Sequence, residues 1–307
     1  MGAPALSSSP SASPPAAPAS FSWADAALLL VIVIWGTNYT VVKEALEAFP
    51  PLAFMALRFA LAAVAMAGVL AVREGFTPLP RATWLKLLGL GLVGNTVYQL
   101  FFILGLSRTT VANTGMLTTG TPMFTAVLGA LLGVERLRRP LVLGLMLSVP
   151  GMLLIVSARG PELDASTRVG DLLILGGSVC WAFYTVGLRS LGGALSPLRV
   201  TALTMLLGAP GVVAVGLPEV LSMEWTRPGV GAWLGVVYSA LVPLVLSYVI
   251  WSRSVQAVGS NRTALYNSGT PVVAALTGWV VRGERPTGAQ VVGAGLVIAG
   301  VLMSRKR

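Results

Sequence analysis

The chain has 307 residues, of which 55% are hydrophobic and only 10% charged, far below the roughly 25% charged of a soluble domain. Its one cysteine, Cys180, and its lack of histidine exclude a disulfide framework, thiolate metal clusters and imidazole chemistry. The net charge of +10 comes from 21 Lys and Arg scattered between apolar segments, which argues against a nucleic-acid-binding module.

Residues 1–22 are mostly Ser, Pro and Ala and read as a disordered tail. No basic residue precedes the first apolar run, so a signal peptide is not expected and that run should remain as a helix. A spanning helix needs about 20 apolar residues. Gly, Pro and charge punctuation divides the rest into ten spans, at about 24–42, 51–72, 84–106, 110–132, 139–157, 170–190, 197–217, 229–251, 259–281 and 286–304. The joins between the third and fourth and between the eighth and ninth are short enough to require tight antiparallel hairpins.

With the amino terminus inside, thirteen basic residues fall on the cytoplasmic side and seven on the other, while Arg58 lies within the second span. The positive-inside rule therefore places both termini in the cytoplasm. Asp25 and Asp171 open spans one and six, where a carboxylate suits the positive end of the helix dipole. Glu135 and Glu284 follow spans four and nine, each with Arg next to it, and are expected to form helix-end ion pairs.

The chain repeats itself. A shift of 146 residues pairs Asp25 with Asp171, Trp35 with Trp181 and Pro51-Leu52 with Pro197-Leu198. A shift of 149 pairs Trp84 with Trp233, Gly120-Thr121-Pro122 with Gly269-Thr270-Pro271, and Glu135-Arg136 with Glu284-Arg285. Each copy holds five spans, an odd number, so the second enters the membrane the opposite way up. The expected domains are residues 23–158 and 169–304, and the expected fold is all-α, integral to the membrane, with ten transmembrane helices in two inverted repeats. Such repeats characterise secondary transporters with a substrate site near the midplane.

The segments WGTNYTVVKEALEAFPPLAFMALRF (Trp35 to Phe59) and TGTPMFTAVLGALLGVERL (Thr119 to Leu137), with their echoes from Trp181 and Ser268, resemble the EamA repeat of the drug/metabolite transporter superfamily. The resemblance covers residues 24–304. It implies a ten-helix carrier of a bacterial inner membrane, with a cavity lined mainly by spans one, three, four, six, eight and nine. Substrates in such families range over amino acids, nucleosides, other metabolites and drugs.

Polar and aromatic residues at mid-span are the expected substrate contacts. They are Trp35, Asn38 and Tyr39 in span one, Asn95, Tyr98 and Gln99 in span three, and Thr114 and Thr118 in span four. Spans six, eight and nine add Trp181 and Tyr184, Ser247 and Tyr248, and Tyr266 and Asn267. Interhelical hydrogen bonding and interfacial belts are the competing roles for such residues. Pro122 and Pro271 should break their helices and serve gating or shaping. Arg58 reads as an anchor to backbone carbonyls, with a cavity cation for an anionic substrate as the alternative.

The functional expectation is a secondary transporter, in the outward direction, of small organic metabolites such as amino acids or related amphipathic compounds. No enzyme activity, cofactor, metal or nucleic acid is expected; the partners are a small solute and the lipid bilayer. The alternatives are a membrane-embedded lipid-modifying enzyme, which lacks a visible nucleophile and base pair, and a channel, which lacks a visible filter motif.

Overall fold

The computed structural model describes residues 22–133, 139–157, 165–189, 191, 195–258, 266 and 269–304. Every element among them is helical. Helix α1 is Trp23–Ala45 and α2 is Pro51–Arg73, entered through a proline whose missing N–H costs nothing in the first turn. Helix α3 runs Arg81–Gly91, passes through a π-helical turn at Leu92–Val97 and continues as Tyr98–Arg108. After Thr109 and Thr110 the chain reverses into α4, Val111–Thr118, which confirms the first tight hairpin. Where the second join was expected, at 252–258, α9 instead continues as helix to Val258, and residues 259–265 lie outside the described residues.

The fourth span is broken where Pro122 suggested. Helix α4 stops at Thr118, Thr119 and Gly120 turn, and α5 runs Thr121–Leu131 with Pro122 as its second residue. Helices α6, Arg139–Ser157, α7, Ala165–Arg189, and α8, Pro197–Ser222, follow. Helix α9 is Val230–Ala240, a π-helical turn at Leu241–Leu246, and Ser247–Val258. Helices α10, Thr270–Arg282, and α11, Gly288–Ser304, complete the chain, and Pro271 again stands second in its helix. Among the described residues six helices are long and apolar enough to cross a membrane: α1, α2, α3, α7, α8 and α9.

Small residues set the helix pairs. A Cβ on Gly208 of α8 would lie 2.5 Å from the carbonyl oxygen of Gly91 in α3, and one on Gly91 would lie 2.6 Å from that of Thr204. Gly151 of α6 and Gly293 of α11 meet in the same way, each Cβ position 2.7 Å from the other's carbonyl oxygen. Since α6 and α11 occupy corresponding places in the two copies and Gly300 packs on Gly144 and Ser148, the pair is antiparallel. Helices α2 and α8 are also antiparallel, and each ends on the other's start. Glu219 near the end of α8 accepts from the N–H groups of Leu52 and Ala53 (2.7 and 3.1 Å), while Glu74 after α2 accepts from the Ser196 hydroxyl (2.7 Å). Glu219 satisfies two helix-start N–H groups that would otherwise lack partners, while Glu74 holds the Ser196 hydroxyl that accepts from the Arg199 N–H at the start of α8.

Replacing Gly208 by Ala puts a methyl group against backbone that cannot yield, a form of overpacking that costs about 1–3 kcal/mol. Thermal or SDS unfolding of the purified protein is expected to show that loss. Gly68→Ala, whose Cβ would meet nothing within 4 Å, should show none.

One end of the bundle is tied across both halves of the chain. Lys43 donates to the carbonyl oxygens of Leu106, Ser107 and Thr109 (2.6, 3.1 and 2.7 Å), closing the end of α3. Arg282, at the end of α10, pairs with Glu44 and with Glu47 (2.9 Å), and the Thr40 and Thr277 hydroxyls bond at 2.9 Å. Glu284 forms a helix-end ion pair as expected, 3.5 Å from Arg282 at the end of α10 and not with the adjacent Arg285, and it also caps α4 through the N–H groups of Val111 and Ala112 (3.3 and 3.1 Å). Its counterpart Glu135 lies outside the described residues.

Asp171 is not at a helix start, because α7 already runs six residues earlier, at Ala165. It is 1% exposed and accepts from the Thr109 hydroxyl (2.5 Å) and the Asn113 amide (3.1 Å to each oxygen). Asn113 in turn accepts from Gln290 (2.6 Å), so α3, α4, α7 and α11 share one buried polar chain. Asp25 does occupy a first turn, accepting from the Ser22 N–H and hydroxyl (both 2.7 Å).

Candidate functional site

Where α1, α2, α3, α7, α9, the α4–α5 break and the start of α10 converge, the helices leave a cavity of about 150 Å³, room for several waters or a small organic solute.

The repeat is visible in its walls. Trp35 of α1 packs on Tyr248 and Trp251 of α9, with ring centroids 6.1 and 5.1 Å away. Trp181, its repeat partner in α7, packs on Tyr98 of α3 at 5.1 Å. Each tryptophan thus crosses to a helix of the other half, and both line the cavity. Asn38 and Tyr39 of α1, Tyr98 and Gln99 of α3, Thr118 at the end of α4, and Tyr248 of α9 also line it. Pro122 and Pro271 stand in its wall beside Thr121 and Thr270, each second in its helix, Pro122 just after the α4–α5 break.

Other expected contacts lie elsewhere. Asn95 is buried between α3 and α8, where its Cβ would be 2.7 Å from a Cβ on Gly208. Thr114 is fully buried and donates to the Thr110 carbonyl (2.9 Å) within its own helix. The Tyr184 ring fills the space over Gly94, and its hydroxyl shares a hydrogen bond with Thr204 (3.1 Å). Tyr266 donates to Asp25 (2.8 Å), and Ser247 is buried without lining the cavity. Asn267 lies outside the described residues.

The π-helical turns explain part of this sorting. In a regular helix Asn95 and Gln99, four apart, would share a face. Asn95 itself lies in the π-helical turn Leu92–Val97 and packs on Gly208 of α8, whereas Gln99, one turn further on, lines the cavity. The second π turn, Leu241–Leu246, is the repeat equivalent of the first at the shift of 149. It carries Pro243, whose carbonyl accepts from the Trp35 indole N–H (3.1 Å). π turns free carbonyls from the helix ladder and recur at functional sites.

Arg58 lines the cavity, the position of its alternative reading and not that of an anchor to backbone carbonyls. It is 1% exposed and donates to the side-chain oxygen of Gln99 (2.5 Å). The rings of Phe54 and Phe102 flank it, each 5.7 Å from the guanidinium carbon. Its charge in an apolar span was the available signal. Phe102, Thr119, Ser178, Pro243 and Leu244 also line the cavity without having been singled out for it.

This arrangement of two crossed halves around a small polar and aromatic chamber agrees with comparisons to known proteins. The model of the EamA-like transporter family matches residues 22–157 and 168–305. The chain is 30% identical over 278 residues to the Bacillus subtilis (strain 168) "Uncharacterized transporter YyaM", covering 90% of this chain and 91% of that protein. It is 28% identical to a "Probable amino-acid metabolite efflux pump" of Salmonella typhimurium, over 90% and 92% of the two chains. A solved crystal structure with 22% identity superposes with a TM-score of 0.63, covering 92% of this chain and 96% of that one, which supports the shared fold. With its two family matches spanning nearly the whole sequence, the chain belongs to the EamA-like transporter family.

Proposed function

We propose that this protein is an alternating-access carrier that exports small organic metabolites, amino acids or related amphipathic compounds, across a bacterial cytoplasmic membrane. In this reading the chain crosses ten times as two inverted repeats, residues 23–158 and 169–304, with both termini cytoplasmic. The broken and shorter helices α4–α5, α6, α10 and α11 then supply the four crossings beyond the six long ones. The observation that carries the reading is the cavity itself, where Trp35 and Trp181 each cross to the opposite half around hydrogen-bonding side chains. Trp35, Asn38, Tyr39, Tyr98, Gln99, Thr118, Trp181 and Tyr248 are the proposed substrate contacts, and the breaks at Pro122 and Pro271 the proposed bending points. The end tied by Lys43, Arg282 and Thr40–Thr277 is the proposed outer gate, in its closed form.

The amino-acid class rests on the printed name of the Salmonella relative and on the size of the cavity. Purified protein in proteoliposomes should take up members of an amino-acid and metabolite panel with saturation, and should show counterflow when preloaded with the same solute. Flux that neither saturates nor counterflows would identify a channel. Turnover of a lipid without solute flux would identify an enzyme.

A further inference from the structure

Arg58 is the one charged side chain on the cavity wall among the described residues. Its Nη2 donates to Gln99, but its Nε has no hydrogen-bond partner among the described residues. A guanidinium carries five N–H donors and accepts nothing, so one amide oxygen and two aromatic faces leave it both charged and under-satisfied. Burying a cation this way is costly unless an anion or water completes it. The Phe54 and Phe102 rings hold the group in place without neutralising it. Gln99 must turn its oxygen to Arg58, which leaves the Gln99 NH2 as a further donor. No Asp or Glu lines the cavity among the described residues.

Resting on the transport reading, we infer that Arg58 and Gln99 form a carboxylate-binding subsite, the element that makes the cavity select carboxylated solutes. Two other groups on the wall complement it. The Asn38 side-chain oxygen and the Ser178 hydroxyl are buried without partners, and both line the cavity. An amide oxygen can only accept, so it calls for a donor on the solute. Trp35, one helical turn before Asn38 on α1 and also on the cavity wall, offers an aromatic ring that attracts a cation. The solute that satisfies both ends is a zwitterion with its carboxylate on Arg58 and its ammonium toward Asn38.

Three probes that share the leucine side chain separate these terms: L-leucine, 3-methylbutylamine, which lacks the carboxylate, and 4-methylpentanoate, which lacks the ammonium. Calorimetry on the protein in lipid nanodiscs should show L-leucine and 4-methylpentanoate binding at least tenfold more tightly than the amine. Arg58→Gln should abolish that preference. Because Arg58 is packed and its loss can disturb folding, Gln99→Glu provides the second test. It sets a resident counter-ion against the guanidinium, should keep the fold, and should weaken both carboxylates tenfold or more. Wild-type protein that binds the amine as tightly as leucine, or binds none of the three, overturns the subsite. Folded Gln99→Glu protein with unchanged carboxylate affinity also overturns it. Saturable amino-acid flux alongside equal binding of leucine and the amine would overturn this inference alone, whereas absence of saturable flux for every solute would overturn the transport reading.

Discussion

Replacing Asp171 by Ala is expected to cost about 3 kcal/mol or more of stability, among the largest losses from any single side chain outside the cavity. The carboxylate is 1% exposed and receives hydrogen bonds from Thr109 and Asn113. Hydrogen bonds to charged groups contribute about 1.5–3 kcal/mol each, and deletion leaves buried donors unpaired. Asn113, itself 1% exposed, then loses the partner that orients its amide toward Gln290. Thr109→Val, which removes one donor only, should cost less. In an SDS or thermal titration, the double variant Asp171→Ala/Asn113→Ala should be destabilised by less than the sum of the singles, since both delete the same bonds. Additive losses, or a loss below 1 kcal/mol at Asp171, would show that the chain of hydrogen bonds does not act as a unit.

Asp171 also shows what could and could not be read from residue order. Apolar length located the helices because lipid demands internally satisfied backbone, and α2 starts and stops within a residue of its expected limits. Helix α7 already runs at Ala165, ahead of its expected span, because Ala165 to Gly170 is too polar to register as span, yet is helical. Asp171 therefore sits beyond the first turn, where Thr109 and Asn113 bond it instead of a helix start.

The site was legible in its aromatic and repeat-related residues. Trp35 and Trp181 stand at equivalent positions, and duplication brings equivalent positions to one axis. Helix phase was the harder quantity. A π turn is a backbone event that no single residue announces, and Asn95, within the turn at Leu92–Val97, packs on α8 while Gln99 lines the cavity. Tyr184 and Thr114 were beyond reach for a different reason. A buried hydroxyl that bonds within its own half has the same one-dimensional signature as one that faces a cavity. Arg58 was visible as a charge in an apolar span, but its partner Gln99, 41 residues away, could be identified only in three dimensions.

The second large effect concerns the end of the bundle where α1 meets α10. Thr40 and Thr277 bond there across the two halves, next to the Arg282 pairs with Glu44 and Glu47. An exposed ion pair contributes little, about 0–1 kcal/mol, which suits a contact that must break on each cycle. A covalent bond in the same place cannot break. If the cavity reaches the outside only when α1 and α10 part, fixing them should reduce flux to background without unfolding the protein. The direct measurement is saturable solute flux in proteoliposomes by Thr40→Cys/Thr277→Cys protein carrying Cys180→Ser, before and after a short bis-methanethiosulfonate cross-linker, which releases two sulfinates, or oxidation to the disulfide bridges the pair. The alternating-access account predicts that bridged protein loses essentially all flux while unbridged protein, or disulfide-linked protein after reduction, retains it. Undiminished flux through fully bridged protein would contradict it.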